Sequence, residues 1–131
     1  MIHADTNVVI RLLEGNAAAR APLEARLLPP RGTGRFLLTS RLTRLECRVK
    51  PLRAGDVALL ARYDAFFSGS EVQLLELTGP VVEKATEIRA LLNLKTPDAL
   101  HLASAVLAGA AAFLTGDRSL ARCTAVPVEV L

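Results

Sequence analysis

The sequence has few aromatic residues, two cysteines and no long apolar run. Aromatic residues make up 4% of the 131 residues, so a surface that stacks many nucleobases is not expected. Cys47 and Cys123 are far apart and lack metal-ligand spacing, which is typical of ordinary thiols in a reducing compartment. The apolar stretch AVLAGAAAFL is well short of the ~20 residues that span a bilayer. The beginning, MIHADTN, has an acid where a signal peptide has its apolar core. We therefore expect a cytoplasmic protein without membrane association.

Hydrophobic residues make up 51% of the chain, which argues against disorder and is enough for a real core in one domain. The formal net charge is +3, and most of the basic residues are arginines. A mild excess of arginine is compatible with a polyanionic partner without proving one.

Short apolar runs alternate with longer helical patterns along the chain. The predicted strands are IHAD at the beginning, FLLTS from Phe36, QLLEL from Gln73, AFLTG from Ala112 and VPVEV from Val126. The predicted helices lie between them, at Asn7–Leu28 (two helices), Ser40–Val49 with Gly55–Phe67, Gly79–Leu92 and Pro97–Leu107; PPRGTG from Pro29 is a loop inside the domain. This order predicts an α/β fold, a three-layer arrangement in which helices flank a central, mostly parallel five-stranded sheet.

Four acids stand where such a sheet binds ligands, outside the carboxyl ends of its strands. Asp5 closes the first strand, Glu46 lies in the helix after the second, Asp98 opens the helix that leads to the fourth, and Asp117 follows the fourth. Each acid has a simpler explanation when taken alone. Asp5 and Asp98 suit helix starts, Asp117 suits a turn, and Glu46 suits a solvated helix surface.

Glu46 also lies beside an apolar stripe formed by Leu42, Leu45 and Val49 rather than opposite it. Four acids that share one edge would repel each other, by roughly 3 kcal/mol for two charges about 5 Å apart at an effective dielectric near 20. Such a cluster persists when protons or cations neutralise it. Oxygen ligands favour Mg²⁺ or Mn²⁺ over Zn²⁺.

The acids and their neighbours resemble the PIN-domain nucleases, and more narrowly the VapC-type ribonuclease toxins of toxin–antitoxin pairs. The matching segments are DTN at Asp5, TRLECR around Glu46, LKTPDALHLASA around Asp98 and FLTGDRSL around Asp117. They occur in order over essentially the whole chain, so the prediction is a single PIN domain at residues 1–131.

The resemblance implies that the four acids hold Mg²⁺ or Mn²⁺ for the cleavage of RNA. Asp5 and Asp98 would be the principal ligands, Asp117 a direct or water-mediated ligand, and Glu46 a residue that orients water or supports a ligand. Thr115 matches a polar position that lines the site, and Asn7 would support it. Ser119 stands where many relatives have a further acid, which puts firm binding of a second metal in doubt. The family also implies a homodimer and a small antitoxin that also binds DNA.

Other residues have less certain roles. Arg41, Arg44 and Arg48 recur around Glu46, and Arg118 follows Asp117. Asn7, Arg44 and Arg118 are candidates for contacts with the RNA, although a solvated charged surface is an equal alternative. His101 lies one turn after Asp98 and is interpreted as structural rather than as a contact of the acid or substrate; His3 is also interpreted as structural.

The segment with Tyr63, Phe66 and Phe67 is expected to be core, or part of a groove for the antitoxin. Two other functions remain open. A phosphoacceptor receiver domain would need paired acids after the first strand and a lysine after the last, which this sequence lacks. A non-catalytic PIN-like binding module is disfavoured because all four acids are present.

Overall fold

The computed structural model describes residues 1–27 and 37–131, which contain five strands and six α-helices. The strands are β1 (Ile2–Ala4), β2 (Leu37–Ser40), β3 (Val72–Leu75), β4 (Ala112–Thr115) and β5 (Val128–Val130). The helices are α1 (Thr6–Glu14), α2 (Ala17–Leu27), α3 (Arg41–Ala54), α4 (Val57–Ser68), α5 (Gly79–Leu92) and α6 (Thr96–Leu107), with a short 3₁₀ helix at Arg118–Arg122. Three predictions fall outside the described residues: the end of the first predicted helical region at Leu28, the loop from Pro29, and the first residue of the second predicted strand, Phe36.

The five strands form one sheet in the order β3-β2-β1-β4-β5, and every neighbouring pair is parallel. The chain first builds the sheet outward from β1 to β3. It then returns through α5 and α6 to place β4 on the other side of β1. The strand order therefore reverses between β1 and β4, which is where open α/β sheets bind their ligands.

The core has two parts because alternate residues of a strand point to opposite faces of the sheet. In β4, Phe113 packs with α5 and α6, whereas Leu114 packs with residues of α1 to α4. Both side chains are fully buried. The predicted three-layer α/β arrangement is thus confirmed, and the sheet is entirely parallel.

Several helix ends follow from local chemistry. Asp5 begins α1 by accepting a hydrogen bond from the backbone N–H of Thr6, and Ser40 begins α3 through the N–H of Thr43. Gly55 ends α3 with a φ of 68°, in the left-handed region that glycine adopts without strain. Because strands lead directly into helices at Asp5 and Ser40, polar side chains are placed at the carboxyl edge of the sheet.

The predicted elements all occur, with differences at their ends. The helix after β2 continues to Ala54, beyond the predicted end at Val49. It passes through Pro51, which is buried near the last turn. The last strand begins at Val128 rather than Val126. None of the helices in the described residues is long and apolar enough to cross a membrane.

Candidate functional site

The candidate site lies at the carboxyl ends of β1 and β4, at the reversal of strand order. Asp5 directly follows β1 and Thr115 is the last residue of β4. The Oγ1 hydroxyl of Thr115 donates a 2.7 Å hydrogen bond to Oδ2 of Asp5. The parallel pairing of β1 with β4 therefore brings together two residues that are 110 positions apart.

Asp5 is held firmly and is 4% exposed. Its Oδ1 accepts from the N–H of Thr6 at 2.9 Å, and its Oδ2 accepts from the Asn7 amide at 3.0 Å as well as from Thr115. The other end of the Asn7 amide, Oδ1, accepts the Gly116 N–H at 2.7 Å. Asn7 therefore ties the end of β1 to the turn after β4, which supports its predicted position in the site.

Asp117 is fixed by the turn that carries it. Its N–H donates to the Thr115 hydroxyl at 3.0 Å. Its Oδ1 accepts the backbone N–H and the hydroxyl of Ser119 at 2.9 and 2.8 Å. These bonds from Ser119 hold the pKa of the Asp117 carboxyl below its usual value. Ser119 thus stabilises the charged form of Asp117.

The surroundings of Asp98 disfavour the ionised form of its carboxyl group. The partly buried carboxylate lies in the first turn of α6, where the helix dipole favours a negative charge. Its pKa is nevertheless raised, mainly by burial and then by the charges of Asp5 and Asp117. His101 and Lys95 oppose this increase without overcoming it. Asp98 therefore lies close enough to both Asp5 and Asp117 for their charges to disfavour its ionised form.

Glu46 reaches the same edge of the sheet from α3. Its Oε1 accepts from the Thr6 hydroxyl at 2.8 Å and lies 2.7 Å from Nε2 of His101. Burial alone would raise the pKa of Glu46, but the hydrogen bonds from His101 and Thr6 hold it below its usual value. Since Thr6 directly follows Asp5, these contacts connect Glu46 to the other acids.

The chemistry of this site suits a hard divalent cation. All four acids offer oxygen ligands, which Mg²⁺ and Mn²⁺ prefer, and a cation would relieve the repulsion that raises the pKa of Asp98. Within residues 1–27 and 37–131, no group of three His, Cys, Asp or Glu side chains is arranged to hold a metal ion. Mg²⁺ commonly uses one or two carboxylates and completes its shell with water and substrate phosphate, so the donors fit this type of binding.

The predicted arginines lie in different surroundings. Arg44 and Arg48 both pair with Asp64 of α4, at 3.4 and 2.9 Å. Two basic residues that were not predicted also lie at this edge. One is Lys95, whose charge favours the ionised forms of Asp98 and Asp117 and so acts to lower the pKa of each; the other is Arg11. The Arg11 guanidinium crosses the turn at Gly116, where its Nη2 lies 3.0 Å from the position that a Cβ would take.

The apolar stripe on α3 does not face the core of this chain. Leu45 and Val49 are 58% and 43% exposed, and the buried residues of α3 are Thr43, Cys47 and Pro51. These two residues of the apolar stripe beside Glu46 are therefore not packed within this chain. Glu46 instead borders the buried, partly polar face of α3, which explains how it reaches His101.

Two other groups of residues behave as predicted. Cys47 and Cys123 are free and buried, and burial, followed by the charges of Glu46 and Glu14, raises the pKa of Cys47 to about 12. Tyr63 and Phe67 belong to the core, with Phe66 packed against them. The expectation of a core role for this aromatic segment is thus confirmed.

Sequence reasoning missed the role of Thr6 and the partner of His101. Thr6 lies between Asp5 and Asn7 in the segment DTN, and this position could have indicated that it belongs to the site. His101 contacts Glu46, an acid 55 positions away, and not the neighbouring Asp98 that helical spacing suggested. No local sequence pattern could have identified that partner.

The chain is similar to known proteins in family and structure. The model of the PIN domain family matches residues 2–125. No curated protein sequence matches. A chain of a toxin–antitoxin complex from Klebsiella pneumoniae is 25% identical, with a TM-score of 0.75 over 96% of this chain and 95% of that chain.

Two further solved structures share the fold. VapBC2 from Rickettsia felis, bound to a DNA fragment from its promoter, is 15% identical, with a TM-score of 0.75 over 99% of this chain and 98% of that chain. VapC20 from Mycobacterium tuberculosis, a toxin that cleaves the sarcin–ricin loop, is 20% identical, with a TM-score of 0.66 over 86% and 87%.

Proposed function

The chain belongs to the PIN-domain family, and from this premise we propose that it is a metal-dependent endoribonuclease and the toxin of a VapBC-type toxin–antitoxin pair. In this proposal residues 1–131 form a single PIN domain that acts in the cytoplasm as a homodimer. Its partners are an RNA substrate and a small antitoxin that also binds DNA. The similar VapC20 chain is a toxin that cleaves RNA, and similar chains occur in complexes with promoter DNA.

The observation that carries the proposal is that the charges of Asp5 and Asp117 act on the partly buried carboxylate of Asp98 at the reversal of strand order. Asp98 has a raised pKa because it is partly buried beside Asp5 and Asp117, and the fold retains this unfavourable arrangement. Perturbed acids in such a position are typical of functional sites. Caps and turn residues would not need to lie close enough together to repel each other.

The four acids would have different tasks. Asp5 and Asp98 would be the principal ligands of Mg²⁺ or Mn²⁺, and Asp117 a direct or water-mediated ligand. When bound, the ion would neutralise charge on the phosphate and lower the pKa of a water molecule. Thr115 and Asn7 hold the Asp5 carboxylate in one orientation, which keeps its position fixed during the reaction.

The proposed reaction is hydrolysis of an RNA phosphodiester by in-line displacement. The oxygen of a water molecule forms a bond to phosphorus while the bond from phosphorus to the 3′ oxygen breaks. Glu46 would orient this water or accept its proton. The 3′ oxygen takes a proton from a solvent water and leaves as a hydroxyl, and the other product retains a 5′-phosphate. Asn7, Arg44 and Arg118 are proposed to contact the RNA, with Arg44 exchanging Asp64 for a phosphate.

The decisive experiment compares Asp98→Asn with Asp56→Asn. Asp56 caps α4 through the N–H of Leu59, and asparagine is an equally good cap, so Asp56→Asn controls for loss of an acid outside the site. We expect the wild type and Asp56→Asn to cleave cellular RNA with Mg²⁺ or Mn²⁺. EDTA or Asp98→Asn should abolish cleavage. Sequencing of the RNA ends should show 5′-phosphates.

If the folded wild type cleaves no RNA at any Mg²⁺ or Mn²⁺ concentration, the proposed function is wrong and the non-catalytic binding module is favoured. Full activity of Asp98→Asn would also contradict the proposed site. Circular dichroism shows whether each variant has retained the fold.

A further inference from the structure

His101 is a buried imidazole that touches one of the four acids, Glu46. Its side chain is 2% exposed, and its Nε2 lies 2.7 Å from Oε1 of Glu46. On the other side of the ring, Nδ1 lies 3.1 Å from the Ser40 hydroxyl. The imidazole therefore bridges the N-cap of α3 and the acid that lies two turns further along the same helix.

The direction of these hydrogen bonds follows from which groups can donate. An ionised carboxylate only accepts, so both the Thr6 hydroxyl and His101 Nε2–H donate to Oε1 of Glu46. In a neutral ring Nδ1 then accepts, and the Ser40 hydroxyl donates to it. The Thr6 and Thr43 hydroxyl oxygens lie 3.1 Å apart; since Thr6 uses its single proton for Glu46, Thr43 is the donor in this contact. Longer contacts of 3.3 and 3.5 Å join the Thr6 hydroxyl to Nε2 and the Thr43 hydroxyl to Nδ1 of His101.

The two donors to Glu46 meet the same oxygen. Thr6 and His101 both bind Oε1, whereas Oε2 accepts no hydrogen bond from the described residues. The Glu46 carboxylate therefore cannot rotate about its Cγ–Cδ bond without breaking its hydrogen bonds to Thr6 and His101. Oε2 is therefore kept available for a ligand or a water molecule.

Burial alone does not account for this arrangement. The second histidine, His3, is also fully buried, yet neither of its ring nitrogens has a hydrogen-bond partner among the described residues. The fold thus accommodates a buried imidazole that packs against Phe113 without hydrogen bonds. His101, by contrast, has a partner on each nitrogen, and one of them is an acid of the candidate site.

We propose that His101 is a positioning residue that donates from Nε2 to Oε1 of Glu46 and thereby directs Oε2 of Glu46 into the nuclease site. This inference rests on the proposed nuclease function. His101 does not touch the RNA, because it is buried behind Glu46. Its effect is therefore on the chemical step and not on the binding of substrate.

Two amide variants separate positioning from a general structural role. In His101→Gln the side-chain amide can place an N–H near the position of Nε2, whereas the shorter amide of His101→Asn reaches only the position of Nδ1. Both variants bury a polar amide of similar size, so a structural defect should affect both. Only His101→Gln can restore the hydrogen bond to Glu46.

We expect His101→Asn to lower kcat about 10- to 100-fold, as is typical when a group that orients a ligand is removed, with KM unchanged. His101→Gln should recover most of this loss. The affinity for RNA in EDTA, measured by fluorescence anisotropy, should be the same in the wild type and both variants. In a Glu46→Ala background, His101→Asn should cause no further loss of kcat, since residues that act through one contact are not additive.

Urea unfolding in EDTA shows which variants are folded and gives a result independent of activity. The unfolding free energies of His101→Asn, Glu46→Ala and the double variant should be non-additive if the two side chains interact. Additive values would overturn the proposal. If His101→Asn is unfolded, His101→Gln decides alone, because a folded His101→Gln with a 10- to 100-fold lower kcat contradicts positioning through Nε2.

The two proposals fail in different ways. A folded wild type without RNA cleavage refutes the nuclease function, and this inference with it. An active wild type together with an equally active, folded His101→Asn refutes only the role of His101.

Discussion

Replacing His3 with leucine should remove a large part of the acid sensitivity of the fold. His3 lies in β1, fully buried, with its ring stacked on Phe113 at a centroid distance of 5.1 Å. Burial, with a smaller effect of the charge of His101, lowers the pKa of His3 from 6.5 to about 3. The folded state therefore holds His3 neutral at a pH at which the unfolded chain takes up a proton.

The sign of the effect follows from proton binding. Between pH 6.5 and about 3, the unfolded chain binds one more proton at His3 than the folded chain, so stability falls as the pH falls through this interval. The slope approaches 1.36 kcal/mol per pH unit. At pH 4.5, two units below the unfolded pKa, the loss is about 3 kcal/mol, and near pH 3 it is about 4 kcal/mol. These are large fractions of the 5–15 kcal/mol that is typical of a folded domain.

The assay is urea unfolding of the wild type and His3→Leu in EDTA at pH 7.0, 6.0, 5.0 and 4.5. The difference between the two proteins isolates His3, because the carboxylates titrate in both. At pH 7 the difference should be small, since leucine removes two nitrogens that lack partners among the described residues but also loses the stacking on Phe113. Relative to the wild type, His3→Leu should gain about 3 kcal/mol between pH 7 and pH 4.5. Parallel stability curves would refute the reasoning.

Three further substitutions test local features. Ser40→Ala removes the N-cap of α3 and a hydrogen-bond partner of His101. Urea unfolding should therefore show a free energy of unfolding that is lower by about 1–2 kcal/mol. An unchanged urea midpoint would contradict the capping role. Gly116→Ala places a Cβ 3.1 Å from Oδ1 of Asn7. Cleavage assays should show about a tenfold lower kcat, with little change in melting temperature. Full activity would show that the Asn7 side chain can move away from the new methyl group. In Gly55→Ala the new Cβ has no atom within 4 Å, but alanine must adopt a φ of +68°. The free energy of unfolding should therefore fall by about 1 kcal/mol, while RNA cleavage is unchanged. A loss of cleavage would contradict a purely local role of Gly55.

The sequence allowed the fold and the edge that carries the acids to be predicted because both depend on local patterns. Apolar runs of strand length alternate with helical periodicity, which defines a parallel α/β sheet. The carboxyl ends of parallel strands share an edge, so Asp5 and Asp117 could be placed there before any contact was known. Element ends were less certain, as the extension of α3 through Pro51 shows.

The surroundings of helical side chains were harder to predict. An apolar stripe on a helix indicates a face that avoids water, but not whether this chain or a partner covers it. Leu45 and Val49 are accordingly exposed here. In the same way, the spacing of the arginines did not reveal that Arg44 and Arg48 pair with Asp64 of the next helix. Partners of this kind depend on how helices pack in space.

The insertion of β4 between β1 and β5 has a consequence for synthesis of the protein. The contact between Asp5 and Thr115 closes a loop across 110 positions, so it belongs to the non-local contacts that form late in folding. Any ribosome-bound fragment that ends before residue 112 lacks both Thr115 and Asp117 and leaves one side of β1 without its neighbour. A nascent polypeptide that stops before Ala112 therefore cannot assemble the acidic cluster, because two of the residues that build this edge of the sheet have not yet been synthesised.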